Sequence, residues 1–86
     1  MWNFSKHISE RIELRKISKE MILKIVNKEV NILVYESPQD ETVDLYFGKV
    51  DKFYILVVVN RKTKNLITVR NMRINEKKIY KKEFEL

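Results

Sequence analysis

Arg70, Arg73, Glu76 and Tyr80 are the residues of this 86-residue chain best spaced to do chemistry together. The run Ile67-Thr68-Val69-Arg70 ends β-branched, Glu76 follows six residues after Arg70, and Tyr80 four residues further on. This places an arginine at a strand end. A carboxylate and a phenol then share one face of the next helix, since residues i and i+4 are neighbours there. A pair of guanidiniums such as Arg70 and Arg73 can clamp a phosphodiester, whose geometry fits their planar forks better than a lysine ammonium. Glu76 and Tyr80 can move protons, and a tyrosine can stack on a base. The plain alternative is structural. Phe84 continues the i, i+4, i+8 row, so Tyr80 can be core with its hydroxyl at the rim, and Glu76 can pair with a lysine or with Arg73.

Two further groups of basic residues belong with these. His7, Arg11 and Arg15 stand at i, i+4, i+8 and share one helix face, where an imidazole and two guanidiniums could hold phosphates. Glu10 and Glu13 beside them favour a merely solvated face. Lys77, Lys78, Lys81 and Lys82 form like-charge i, i+4 pairs, which slightly disfavour an isolated helix; either the charge is used or lysine has accumulated by compositional drift. Residues 61–86 carry nine Lys/Arg against three Glu, the whole of the chain's net +6. A small domain with its positive charge at one end offers a site for an anion, and RNA or DNA is the usual one.

The elements that must position these groups follow from the hydrophobic period. Ser5 caps a helix to about residue 16, and Ser18 caps a second from 19 to about 28 with the apolar stripe Met21, Ile22, Ile25, Val26. Strands are expected at 31–36, Val43–Val50, Phe53–Asn60 and 66–70 or a little beyond. Phe53–Asn60 is apolar on both faces and belongs at the centre of a covered sheet. A basic helix over 75–84 closes the chain. The predicted fold class is α+β in one domain, 1–86: two N-terminal helices on a four-stranded antiparallel meander, with the C-terminal basic helix across an edge or the other face. The absence of cysteine excludes disulfides and thiolate metal sites, and one histidine makes a zinc site implausible, so no metal or cofactor is expected. No apolar run reaches a membrane span and no signal-peptide core is seen, which reads as a cytoplasmic protein with no membrane partner.

Arg70, Glu76 and Tyr80 resemble the C-terminal signature of BrnT-type toxins, an Ile-Ser-Ala-Arg strand end followed by glutamate and tyrosine at these distances. Trp2-Asn3 with Lys6 resembles their Trp-Asp…Lys start. The segment His7-x3-Arg11-x3-Arg15-x-Ile17-Ser18 is similar to a related, mostly uncharacterised domain family with an H-x3-R-x3-R-x-I helix pair. Both look like branches of the RelE/ParE toxin superfamily. Asn3 stands where BrnT-like proteins tend to have aspartate, Thr68-Val69 replaces Ser-Ala, and the usual His-Gly at the helix joint is missing.

The resemblance implies a RelE-like fold and the toxin component of a type II toxin–antitoxin system. It would be a metal-independent endoribonuclease that inhibits translation, with RNA and a nearby-encoded, ribbon-helix-helix antitoxin as partners. In that reading an RNA 2′-hydroxyl attacks the adjacent phosphate. Arg70 and Arg73 stabilise charge, Arg11 and Arg15 position phosphates, and Tyr80, His7 and Glu76 compete for proton transfer. Superfamily members include ribonucleases, gyrase poisons and domains of no known activity. The alternatives are a non-catalytic RNA-binding domain of the same fold and an interaction module whose basic end meets an acidic protein.

Overall fold

The structure, a computed structural model, describes residues 1–85. The elements run β1 (Asn3–Phe4), α1 (Lys6–Arg15), α2 (Lys19–Val26), β2 (Ile32–Glu36), β3 (Val43–Val50), β4 (Phe53–Asn60), β5 (Asn65–Asn71) and α3 (Ile74–Phe84). The class is α+β as the sequence implies. The sheet differs: it has five strands in the order β1-β5-β4-β3-β2, and β1 lies parallel to β5. A four-stranded antiparallel sheet is therefore corrected to a mixed one. The extra strand is two residues long, too short to show a period of two. It is held by Asn3 N–H donating to the Lys64 carbonyl at 2.8 Å, and the Ser5 hydroxyl donates to the Leu66 carbonyl at 3.2 Å. Ser5 also accepts from the Ile8 amide at 3.2 Å, so the α1 cap is pinned to β5.

Strand β4 divides the core. Ile55, Val57 and Val59 face Ile8, Ile17, Ile22, Ile25 and Val26 from the α1–α2 layer. Leu56 faces the other way, with Phe47, Met72 and Tyr80. The last helix thus covers the opposite face from the first two. Val57 is wholly buried, as its place in the unbroken apolar run implies.

The chain turns sharply with a single glycine in its sequence. The left-handed positions are Lys16, Lys28, Asp51 and Lys64, with φ of 55°, 60°, 56° and 64°. Gly48 is not among them. It lies within β3, and a Cβ there would stand 2.9 Å from Cγ1 of Ile25, an atom of a fully buried side chain. Close approach of α2 to the sheet is what requires glycine at this position. Gly48→Ala is expected to destabilise the protein by ~1–3 kcal/mol, the usual cost of overpacking. Ile25→Ala, which removes that Cγ1, should make the Gly48→Ala change cost less than it does beside Ile25. Urea denaturation of both variants checks this, and an unchanged Gly48→Ala midpoint would contradict it.

Candidate nucleic-acid interface

The Arg70–Glu76–Tyr80 spacing has a structural outcome. Arg70 donates from both terminal nitrogens to the two Glu76 oxygens, at 2.8 and 2.9 Å, and also to the Asn71 carbonyl at 3.0 Å. Glu76 accepts in addition from the Arg73 amide at 2.7 Å, which satisfies a free N–H at the start of α3. The side chains are 27% and 19% exposed, so the ion pair is well shielded. The Arg70 fork expected to clamp an external phosphate therefore holds a carboxylate of its own chain. Arg70 holds the Glu76 carboxyl below its ordinary range, helped by the Arg73 amide. Arg73 itself is exposed and, among the described residues, forms no ion pair.

Tyr80 is buried. Its hydroxyl donates to the Asn31 carbonyl at 2.5 Å and accepts from the Lys49 amide at 3.2 Å. Burial raises its pKa above the usual phenol value, which works against its acting as a base. His7 is exposed on α1, with Nε2 3.4 Å from the Thr68 hydroxyl oxygen at the outer edge of β5. The Tyr80 hydroxyl sits at Lys49 on β3. Thr68 aligns with Val58 and Lys49 with Tyr54 on the intervening β4. Two strand spacings and four residues separate the two points, about 16 Å in the sheet lattice. His7 and Tyr80 cannot serve one scissile phosphate at that distance. Arg70, two residues along β5 from Thr68, is the nearer partner for His7. Arg11 and Arg15 are half-buried on α1, and among the described residues no hydrogen bond or ion pair joins them to Arg70, Arg73 or Tyr80.

The α3 lysines fare differently. Lys77 and Lys81 stand 5.4 and 5.2 Å from the centroid of the Tyr54 ring, and Lys49 joins them at 5.0 Å from the sheet side. Lys78 and Lys82 are exposed beside them. Among the described residues none of the four helix lysines forms an ion pair. The other cations of the basic end are partly spent, since Arg61 pairs with Asp44 at 3.1 Å and with Glu36 at 3.6 Å. Tyr54 and Lys49 are functional candidates that sequence reasoning missed. Their pairing across the β3–β4 hairpin could have been counted outward from the Asp51-Lys52 turn. Their meeting with α3 could not.

Two concavities flank this region. A cleft of about 570 Å³ is lined by Lys28, Asn31, Lys49, Tyr80, Phe84 and Glu85. An apolar groove of about 280 Å³ runs between Leu33, Tyr35, Pro38, Leu45, Phe47 and Ile79. Comparison with models of protein families, with curated proteins and with solved structures finds no match to this chain.

Glu76 makes the ion pair testable by pH. Its folded pKa lies below the unfolded one, so its contribution is complete above the ordinary glutamate value of ~4.3 and is lost as pH falls through the lowered folded value. The stability gap between wild type and Glu76→Gln should be widest near neutrality and shrink below about pH 4. Thermal melts across pH measure it; a gap independent of pH would refute a folded-state ion pair.

Proposed function

We propose that the chain is an RNA-binding domain whose α3 face engages the phosphate backbone. The observation that supports this best is the gathering of Lys49, Lys77 and Lys81 on one aromatic ring, with Lys78 and Lys82 alongside; among the described residues the four helix lysines form no ion pair, and Lys49 meets Glu85 at 3.5 Å. Five ammoniums on one surface of so small a domain concentrate positive potential where a polyanion can release its counterions. Replacing Lys77, Lys78, Lys81 and Lys82 together by Gln is expected to weaken single-stranded RNA binding by ~10-fold or more at low salt. The salt slope should flatten by about 0.7 for each lysine that meets a phosphate. Anisotropy titrations over a salt series measure both, and unchanged affinity would reduce the lysine helix to a solvated surface.

A second reading is the RelE/BrnT-type toxin, a translation-inhibiting, metal-independent endoribonuclease held in check by a neighbouring antitoxin. The observation in its favour is His7 at Thr68, two residues from Arg70, on a strand that β1 covers only at Asn65 and Leu66. There His7 would take the 2′-hydroxyl proton as that oxygen bonds the adjacent phosphorus, Arg70, released from Glu76 or shared with it, would stabilise the phosphorane, and the P–O5′ bond would break to leave a 2′,3′-cyclic phosphate and a 5′-oxygen protonated by water. His7→Ala and Arg70→Ala should each cost ~100-fold or more in RNA cleavage measured in EDTA. Arg70→Ala should also lower the melting temperature, because it strips Glu76 of its partner. A wild type that binds RNA without cutting it leaves the first reading standing alone. Cleavage that stops in EDTA would contradict the metal-free step.

A further inference from the structure

We propose that Tyr54, Lys49, Lys77 and Lys81 form a phosphate site that the Glu85 carboxylate fills in the free protein. For its ligand this rests on the RNA-binding reading above. The Tyr54 hydroxyl donates to both Glu85 oxygens, at 3.0 and 2.9 Å, and the Lys49 ammonium lies 3.5 Å from the same carboxylate. Lys77 and Lys81 complete the ring of cations about Tyr54. Glu85 is bound to Tyr54 and Lys49, while Lys77 and Lys81, on the same ring, form no ion pair among the described residues. Lys77 and Lys81 are also an i, i+4 like-charge pair on α3, and they repel each other. A 5′-terminal phosphate carries more charge and more acceptor oxygens than a carboxylate, and a backbone phosphodiester matches the carboxylate it displaces while releasing its own counterions.

The site is built to exchange. Lys49 and Glu85 keep 33% and 32% of their side-chain surface exposed, so the carboxylate is held but not sealed in. Glu85 caps the end of α3, its amide donating to the Lys81 carbonyl at 2.7 Å. At a helix C-terminus a negative charge opposes the macrodipole, which further weakens the hold on the carboxylate. The polar cleft bordered by Lys28 and Lys49 opens directly beside it and gives an entering strand a route. The Lys49 ammonium is held above its usual pKa, first by the Tyr54 phenol and then by Glu85. Tyr54 itself acts here as a donor and not as a stacking platform. Its ring is occupied by the lysines and by Tyr80, edge-on at 5.9 Å.

The test compares Glu85→Gln with Glu83→Gln, an equal change of charge at an exposed position of the same helix. Binding of a short single-stranded RNA with a 5′-hydroxyl is followed by anisotropy over a salt series. Glu85→Gln is expected to bind about 3–10-fold tighter than wild type, with a salt slope steeper by about 0.7, one added phosphate contact. Glu83→Gln should change affinity by less than about 2-fold, the effect of net charge alone. Equal gains in the two variants, or none in Glu85→Gln, would overturn the proposal. The same RNA carrying a 5′-phosphate locates the group. Tighter binding that Lys49→Gln abolishes assigns the site to a strand terminus, and equal binding of both RNAs assigns it to the backbone; either upholds it. If no form of the protein binds RNA, the parent reading fails and the site is judged by inorganic phosphate. Phosphate-dependent amide shifts at Lys49 and Lys81 in Glu85→Gln, weaker in wild type, uphold an anion site, and their absence removes it.

Discussion

Strand β4 presents apolar side chains to both sides of the sheet, and most of the architecture answers that demand. Ile55, Val57 and Val59 need a cover on one side, Leu56 on the other, and a two-layer fold would leave one set in water. Fully burying one such side chain is worth ~1.5–3 kcal/mol, so two uncovered faces would exhaust the margin of a domain this small. The α1–α2 pair meets the first need through the Ile22, Ile25 and Val26 stripe. The single helix α3 meets the second, and it does so with a helix that carries four lysines in two i, i+4 pairs. Repulsion within those pairs weakens the helix, which therefore depends on anchors.

Those anchors are the residues whose spacing attracts a catalytic interpretation. Arg70 grips Glu76 in the first turn of α3, and Tyr80 ties its middle to Asn31 and Lys49. An arginine, a glutamate six residues on and a tyrosine four beyond that are what a strand-to-helix clamp requires. The arginine must project from the end of the strand, the glutamate must stand three residues into the helix to reach both the guanidinium and the Arg73 amide, and the tyrosine must be one turn later on the buried face. The same spacing can therefore be retained for folding alone, whatever chemistry the surrounding surface performs.

Much of the fold is legible in the sequence because it depends on local periods. The hairpins at Asp51-Lys52 and Lys62–Asn65, the doubly apolar β4 and the Ser5 and Ser18 caps lie where the pattern puts them. The strand at Asn3–Phe4 is not legible, because two residues carry no period and its partner is some 60 positions away. The site shows the same division. The α3 lysines are visible as a run, and their exposure follows from it. Whether Arg70 is free or paired depends on whether Glu76 turns inward, and whether Tyr80 is rim or core depends on the depth at which α3 docks. Tyr54 and Glu85 escape notice for that reason also, since they meet only through the packing of α3 on the β3–β4 hairpin.

The parallel seam between β1 and β5 bears on the order in which the molecule assembles and comes apart. Strands β2 to β5 pair with their sequence neighbours, so the meander can form by successive short closures. The seam must bring Asn3 to Asn65 and can close only after β5 exists. With two residues of ladder it adds little once closed. β1 itself is the natural unit of local opening, released at less cost than global unfolding, while Ile8 keeps α1 in the core. Amide exchange in β1 would be quicker than in β3 and β4, and the buried Ile8 would keep the histidine and arginines of α1 in place while the seam is open.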